Sequence, residues 1–388
     1  MTAPAVTRAA EPAPGAARSG RPRVLIAPIT VTPSKPLTPS HLKGLLWADV
    51  MYRATGLLAD TTFRYSHTTY HLTEQTLGFW EFLDRTEAGR DYADLGEEEI
   101  GALYVRYRAA DERVPAAALR PYTDAVEEDG WVHPAARRVL DLWSGHYARL
   151  GMHDPGLVRH QPPRLGQEEM LARLESLGMC LQQRELGGPC YLDLTESGLP
   201  LRQIVTADGR PNYLACALRE LIPLASHNDE VVLLYDRELD ADYQLLERVL
   251  SACGPVVRRV PVGRVPIDGR IRSARHGDWR GLDAATLLDT AATDHGPAAT
   301  RLGMRLYFIA TLGPGQQQSF RPDLLRQCLN RAERLLASHR PEAAEELAAR
   351  IGGHRREHLY ADPYRLTSGL LARHRPAPSD DLLKAVFL

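Results

Sequence analysis

The chain has 388 residues, of which 44% are hydrophobic and 25% are charged, and its formal net charge is -2 at pH 7. This length is enough for one large α/β domain together with a smaller one. The composition is that of an ordinary globular protein and lacks the basic excess of a general nucleic-acid binder. We therefore expect no DNA partner.

Five cysteines are widely spaced, without a Cys-x-x-Cys pair and without a neighbouring histidine at metal-ligand spacing. We interpret them as reduced, buried thiols. No stretch approaches the roughly 18 apolar residues of a membrane span, and the N-terminus lacks the apolar run of a signal peptide. The sequence therefore predicts a cytoplasmic protein with no membrane partner.

Residues 1–22 are mostly Ala, Pro, Gly and Arg, which predicts a disordered tail. The apolar run 24–27, ended by Pro28, is typical of a buried parallel strand. A loop rich in Thr and Pro follows over 30–40, and apolar residues at helical spacing over 42–51 predict a helix. This order indicates the first unit of an α/β sheet.

The middle of the chain is predicted to be helical before the sheet resumes. Helices are indicated over 77–83, 97–107 and 135–150, and we place a helical insertion at about 84–185. Strand patterns at 190–194 and 230–235, followed by a helix over 241–252, indicate that a parallel sheet then resumes. The predicted fold is α/β, with a core over 23–290 and a helical C-terminal module over 291–388.

Residues 32–44 lie between the first strand and its helix, where α/β sheets bind ligands at the carboxyl ends of their strands. Main-chain amides and the helix dipole favour phosphate at this position. His41 can donate to phosphate oxygens, and Lys35 and Lys43 can neutralise charge that develops during adenylyl transfer. The alternative is structural: the Pro-rich loop caps the sheet and the histidine belongs to the core.

The segment resembles the first signature of arginyl-tRNA synthetases, in which a Pro-x-Lys-Pro-Leu run leads into His-x-Gly-His and a helix. The matching residues are Pro33, Lys35, Pro36, Leu37, His41 and Leu42. Segments at 142–151, 188–200, 208–215 and 272–278 resemble later parts of the family in the same order, the last at its second signature loop. The resemblance implies a Rossmann-type nucleotide-binding core of a class I aminoacyl-tRNA synthetase.

The resemblance also implies a set of site residues and a nucleotide. It assigns Lys35, His41, Arg275 and His276 to catalysis at the phosphates, and Thr38, Ser40, Ser273 and Gly277 to binding of ATP with Mg²⁺. Thr32, His67 and Tyr213 are assigned to the acyl substrate. We expect no metal held by the protein itself. His67, His71 and Glu74 are close enough in sequence to suggest one, but this stretch replaces a substrate loop of the family.

Several positions depart from the family. Thr38 stands at the leading histidine of the first signature, and Ser40 stands at its glycine, where adenine packs against bare backbone. Ala217 stands where an aspartate pairs with the guanidinium of arginine. A guanidinium buried without its carboxylate loses a strong bidentate pair, so we predict that arginine is not the substrate.

The predicted activity is that of an ATP-dependent ligase that activates a small carboxylic acid and passes it to a small acceptor in biosynthesis. Two alternatives stay open: an acyl transferase that uses aminoacyl-tRNA, and a non-catalytic paralogue that binds a metabolite or a partner protein. About a hundred residues follow the second signature, fewer than the anticodon-reading domain of the family needs. We therefore expect no anticodon recognition. A tRNA partner stays an open alternative through the acyl transferase.

Overall fold

The computed structural model describes residues 20–65, 67–271, 277, 279, 281–315, 318–338, 343–372 and 377–388. Residues 1–19 of the predicted disordered tail lie outside this range. The predicted site residues Ser273, Arg275 and His276 also lie outside the described residues. None of the helices in the described part of the chain has the length and hydrophobicity needed to cross a lipid bilayer.

Strands and helices alternate on both sides of a helical middle segment, and the named elements after the last strand are all helical. The strands are β1 (Arg23–Ala27), β2 (Asp60–Phe63), β3 (Cys180–Gln182), β4 (Cys190–Leu192), β5 (Arg202–Val205), β6 (Glu230–Asp236) and β7 (Val256–Val262). The first helices are α1 (Pro39–Gly56), α2 (His67–His71), α3 (Glu74–Thr86), α4 (Glu97–Ala110), α5 (Ala116–Asp129), α6 (Pro134–Leu150) and α7 (Gln167–Ser176). The later helices are α8 (Tyr213–Ala225), α9 (Asp240–Ala252), α10 (Ala284–Asp294), α11 (Pro297–Arg305), α12 (Pro322–Ala337), α13 (Ala344–Gly352), α14 (Pro363–Ser368) and α15 (Asp380–Leu382).

The central sheet is parallel and has the strand order β2-β1-β6-β7. Leu25 of β1 lies beside Thr62 of β2 and Val231 of β6. The side chains of β1 and β6 are almost all buried, as expected for parallel strands covered by helices on both faces. The predicted α/β class with a parallel sheet is confirmed.

The sequence analysis missed both outer strands of this sheet. Strand β2 alternates between exposed and half-buried residues, and β7 contains two arginines and Pro261. Each has a single strand neighbour in the sheet, which leaves one side open to charged residues and to a proline that cannot donate a ladder hydrogen bond. Their apolar content was therefore too low to reveal them.

The strand predicted at 190–194 exists, but its expected place in the parallel sheet is wrong. It is β4, the central strand of a separate antiparallel sheet with the order β3-β4-β5. Gly187, at φ +73°, belongs to the short connection between β3 and β4, which suits an antiparallel pair. The parallel sheet resumes only at β6.

The predicted helices of the insertion and of the C-terminal half are present as α3–α6 and α10–α15. Helix α10 runs across position 290, where the sequence analysis placed the boundary between core and C-terminal module. That division of the chain into domains stays a prediction.

A buried ion pair joins the N-terminal and C-terminal parts of the chain. Arg305, at the end of α11, donates to the Asp49 carboxylate of α1 at 2.5 Å and to the Leu150 carbonyl at 2.8 Å. Asp49 also accepts from the Arg53 side chain at 3.1 Å and from the His153 amide at 2.8 Å. The side chains of Arg305 and Asp49 are 0% and 4% exposed, so loss of Asp49 would leave the charge of Arg305 buried without a carboxylate.

We predict that Asp49→Ala lowers the free energy of unfolding by about 3–5 kcal/mol, because it leaves a buried guanidinium without its carboxylate. Denaturant unfolding followed by circular dichroism measures the change. Asp124→Ala is the matched control, since it removes only an exposed pair with Arg120. Equal effects of the two substitutions would contradict the role assigned to the buried pair.

Candidate functional site

A cavity of about 490 Å³ opens at the carboxyl edge of the central sheet. Its walls come from the segment after β1, from the residues after β6 and β7, from α2 and α3, and from the start of α8. Because all four strands of the sheet are parallel, their carboxyl ends lie at one edge, which is the usual ligand site of such sheets. The cavity is therefore the candidate functional site.

Six of the predicted site residues line this cavity. They are Thr32, Lys35, Thr38, Ser40, His41 and Tyr213. Gly277 does not line it; it adopts a left-handed conformation, with φ +82°, in a turn near Val105. The structure thus brings together residues that lie up to 181 positions apart, while the chemical role of each stays a prediction.

His67 was predicted to bind the substrate, but it does not line the cavity. It is 1% exposed, and its ring lies 5.3 Å from that of His71, one helical turn further along α2. Tyr70, three residues later in α2, lines the cavity instead. His67 thus packs beside His71 in the core, while Tyr70 of the same short helix lies at the edge of the cavity.

A side chain in the first turn of α1 accepts a hydrogen bond from the amide just before the helix, at the edge of the cavity. The Thr38 N–H donates to Nδ1 of His41 at 3.1 Å. Burial, and to a smaller extent the nearby charges of Lys35 and Arg264, lower the pKa of His41 to about 3. His41 is therefore neutral, and because Nδ1 accepts a hydrogen bond, its proton is on Nε2.

Cationic side chains stand around His41. Lys35 is 7% exposed, and its Nζ lies 5.1 Å from the ring centre of Tyr104 in α4. Arg264, which follows β7, contacts Asp236 after β6 and pairs with Glu238 at 2.9 Å. Lys35 and the amino end of α1 make this corner of the cavity suitable for an anion, while the charge of Arg264 is paired with two carboxylates.

The loop before α1 is held in place by the helical insertion. Gly101 of α4 packs so closely against this loop that a Cβ atom there would lie 2.9 Å from Cδ of Pro36. On the other side, the Leu37 carbonyl accepts from the Ala284 amide at 2.8 Å. The segment that carries Lys35 is thus fixed by two elements distant in sequence.

Ser40 makes a contact that the sequence did not reveal. Its Oγ accepts a hydrogen bond from the Val265 amide at 3.0 Å and lies 3.5 Å from the Val265 carbonyl. This links the first turn of α1 to the segment after β7. The side chain of Ser40, which lines the cavity, is thus held by main-chain groups of a residue outside the cavity lining.

A group of aromatic side chains lines the opposite end of the cavity. The Tyr213 hydroxyl lies 2.6 Å from the Tyr243 hydroxyl and 3.2 Å from Oγ1 of Thr30, and its ring stacks on that of Tyr70 at 5.1 Å. Burial raises the pKa of all three tyrosines, so they stay protonated. This end of the cavity is neutral and aromatic.

The sequence analysis missed several residues of the site. They are Thr30, Tyr70, Asp236, Tyr243 and Arg264. Asp236 directly follows the predicted strand at 230–235, so the rule applied to the first strand would have found it. Arg264 follows β7, which was itself missed. Nothing in the local pattern distinguishes Tyr243 from an ordinary apolar residue of a helix.

Among the described residues, no group of three or more His, Cys, Asp or Glu side chains lies close enough to share a metal ion. The carboxylates that line the cavity are those of Glu74 and Asp236. Arg210 pairs with Glu74 at 2.8 Å, and Arg264 contacts Asp236. The carboxylates of the cavity thus do not fit a magnesium site of the protein's own.

Solved structures with the same architecture include two synthetases. An arginyl-tRNA synthetase of Thermus thermophilus has a TM-score of 0.58 at 15% identity, over 95% of this chain and 75% of that chain. A methionyl-tRNA synthetase of Mycobacterium tuberculosis, bound by methionyl-adenylate, has a TM-score of 0.50 at 12% identity, over 86% of this chain and 79% of that chain. The chain has the fold of class I aminoacyl-tRNA synthetases.

The class I synthetase fold confirms the fold expected from the resemblance at 32–44. No protein-family model matches the sequence, and no curated protein matches it either. At this level of identity the likeness concerns the fold. Activity and substrate must be argued from the cavity itself.

The two buried histidines of α2 generate a prediction about acid stability. Within the described part of the chain, no ring nitrogen of His67 or His71 has a hydrogen-bond partner. Burial lowers the pKa of His67 to about 3 and that of His71 well below its usual value. Below about pH 6.5 the unfolded chain therefore binds more protons than the folded protein, and stability falls.

We expect the free energy of unfolding to decrease by about 1.4 kcal/mol per pH unit for each of these histidines between about pH 6 and pH 4. His71→Phe keeps a ring against Trp80 and should make this decrease shallower. Urea unfolding across this pH range measures the slope, with His227→Phe at an exposed position as the control. A slope unchanged by His71→Phe would argue against this account.

Proposed function

We propose that the protein is an ATP-dependent ligase that activates a carboxylic acid as an acyl-adenylate and transfers the acyl group to a small acceptor. One observation carries the proposal. The amino end of α1, neutral His41, Lys35 and Arg264 meet at one end of a cavity whose other end is lined by tyrosines. An anionic group fits the first end and an uncharged acyl group fits the second.

The first step needs charge stabilisation more than proton transfer. A carboxylate oxygen of the substrate attacks the α-phosphorus of ATP, an acyl-adenylate forms, and pyrophosphate leaves. Negative charge grows on the phosphate oxygens during this step, and in this proposal Lys35 and the amino end of α1 stabilise it, with a smaller contribution from the paired Arg264. Neutral His41 can donate Nε2–H to a phosphate oxygen without losing its proton.

The second step transfers the acyl group. An amine or hydroxyl of the acceptor attacks the acyl carbon and loses its proton to water, and AMP leaves with the electrons of the broken bond. Mg²⁺ would be bound by the phosphate oxygens of ATP, since the carboxylates of the cavity are engaged by arginines. Arg275 and His276, in the second signature loop, remain predicted contacts of the leaving pyrophosphate.

The shared fold supports the proposal. The methionyl-tRNA synthetase with the same fold is described as bound by methionyl-adenylate, which is an acyl-adenylate. In this chain the same type of intermediate would lie with its phosphate near His41 and its acyl group near Tyr213. Use in small-molecule biosynthesis rather than in translation is part of the proposal.

A second candidate rests on Ser40. The resemblance to arginyl-tRNA synthetases places adenine against bare backbone at this position, and here a hydroxyl is hydrogen-bonded to Val265 instead. This contact favours a pocket that no longer takes ATP. Such a protein would accept an acyl group already activated on tRNA, or would bind a metabolite without catalysis.

Pyrophosphate release tests the ligase proposal. We expect release from ATP without tRNA in the presence of a particular carboxylic or amino acid, and a reduction of kcat by about 100-fold or more in Lys35→Ala and in His41→Ala. Lys384→Ala and His227→Ala, both at exposed positions, are the matched controls. If the native protein releases no pyrophosphate with any acid of a broad panel, the result would contradict the ligase and favour the second candidate.

Substitution of Ser40 separates the two candidates. Ser40→Gly removes the side chain from the position where the resemblance places adenine against bare backbone, and should tighten ATP binding about tenfold. Calorimetric titration with a non-hydrolysable ATP analogue measures the change, with Ser226→Gly at an exposed position as the control. Unchanged affinity in Ser40→Gly would show that the serine does not obstruct the nucleotide.

A further inference from the structure

The aromatic end of the cavity is a wall with a second, much smaller space behind it. We call this wall the tyrosine partition, formed by Thr30, Tyr70, Tyr213 and Tyr243. Thr30, Tyr70 and Tyr243 line both the main cavity and an inner space of about 10 Å³. The inner space has room for one water molecule at most. A ligand in the main cavity therefore ends at the partition.

The tyrosine partition is closed by contacts among its own members. The hydroxyls of Tyr213 and Tyr243 are 2.6 Å apart, and Tyr213 also contacts Thr30 at 3.2 Å. The ring of Tyr243 stacks on Tyr235 at 4.2 Å, with an angle of 12° between the ring planes. Because these hydroxyls already have partners, the wall is complete without a ligand.

A buried carboxylate lies behind the partition. Glu220 of α8 lines the inner space together with Ala217, which is one helical turn before it. Its Oε2 accepts from Nε of Arg64 at 2.8 Å, and its Oε1 accepts from the Thr69 hydroxyl at 2.5 Å. The side chains of Arg64 and Glu220 are only 17% and 2% exposed. Both oxygens of this carboxylate are therefore engaged from within the chain.

The carboxylates of the main cavity are engaged as well. Glu74 pairs with Arg210, and Asp236 contacts Arg264. Within the described lining of the cavity these are the acidic side chains. A cationic side chain of a substrate would lose its hydration there without gaining a carboxylate of its own.

We infer that the site selects acids with short, uncharged side chains against arginine and lysine, and that Arg64 contributes by engaging the carboxylate behind the partition that a cationic side chain could otherwise reach. This inference rests on the proposed function, in which the cavity binds a carboxylic acid. Such a side chain packs on the rings of Tyr70 and Tyr213 and ends at the partition. Amino acids of the size of alanine, serine, threonine and valine, and the corresponding carboxylic acids, belong to this class.

Binding to the native protein without ATP tests the selection. Calorimetric titration with alanine, serine, threonine, valine, propionate and butyrate is compared with titration of arginine, lysine and glutamate. We expect the best uncharged acid to bind at least ten times more tightly than any charged one. Arginine or lysine binding as tightly as the uncharged acids would overturn the inference, and so would failure of every uncharged acid to bind.

This measurement separates the inference from the proposed function. Binding of an uncharged acid without any ATP-dependent pyrophosphate release would support the selection of uncharged acids and contradict the ligase activity. Pyrophosphate release in the presence of arginine would support the ligase activity and contradict the selection of uncharged acids. The two proposals thus fail by different results.

Two substitutions test the role of Arg64 directly. Tyr70→Ala opens the tyrosine partition, and Arg64→Ala frees Glu220, so the double variant should bind arginine at least ten times more tightly than the native protein. Tyr191→Ala and Arg120→Ala, both away from the cavity, are the matched controls. A double variant that keeps the native circular dichroism spectrum and gains no affinity for arginine would overturn the role of Arg64.

If the double variant does not fold, Tyr70→Ala alone tests the inference, because it keeps the pair of Arg64 and Glu220 intact. It should extend the accepted acids to longer uncharged side chains such as leucine, with at least a tenfold gain over the native protein. Arginine should not gain, because Glu220 is still engaged. An equal gain for arginine and leucine would contradict the inference.

Discussion

The parallel pairing of β1 with β6 is the constraint on which the site depends. These strands are about 200 residues apart in the chain, and burial on both faces leaves them no alternative to pairing inside the sheet. Their carboxyl ends then lie at the same edge. The loop with Lys35 and His41 and the residues after β6 meet there for this reason, and the parallel pairing of β7 with β6 brings the residues after β7 to the same edge.

The electrostatics of the cavity follow from this meeting. The amino end of α1 and two cations stand at one end, so a histidine placed among them stays neutral and donates. At the other end the charges are paired or lie behind tyrosines, so the surface is neutral. A ligand that is anionic at one end and uncharged at the other matches this division, as an acyl-adenylate does.

Much of the fold was predictable from short apolar runs. Strands β1 and β6 and helices α1 and α9 were expected near their observed positions, because burial on several sides demands continuous apolar sequence. Strands β2 and β7 were not, since one side of each is open and their residues are mixed. Thr32, Lys35, Thr38, Ser40, His41 and Tyr213 were brought together as expected, whereas His67 was not, because its position on α2 faces the core.

The sequence by itself determined the order of strand, loop and helix and the residues that the first loop carries, since these depend on local pattern and turn chemistry. Only the tertiary structure decided what those residues meet. The bond from Ser40 to Val265, the pairing of Arg64 with Glu220 and the tyrosine partition each join segments that are 30 to 225 residues apart. Such contacts depend on packing between distant elements, and no local pattern specifies their partners.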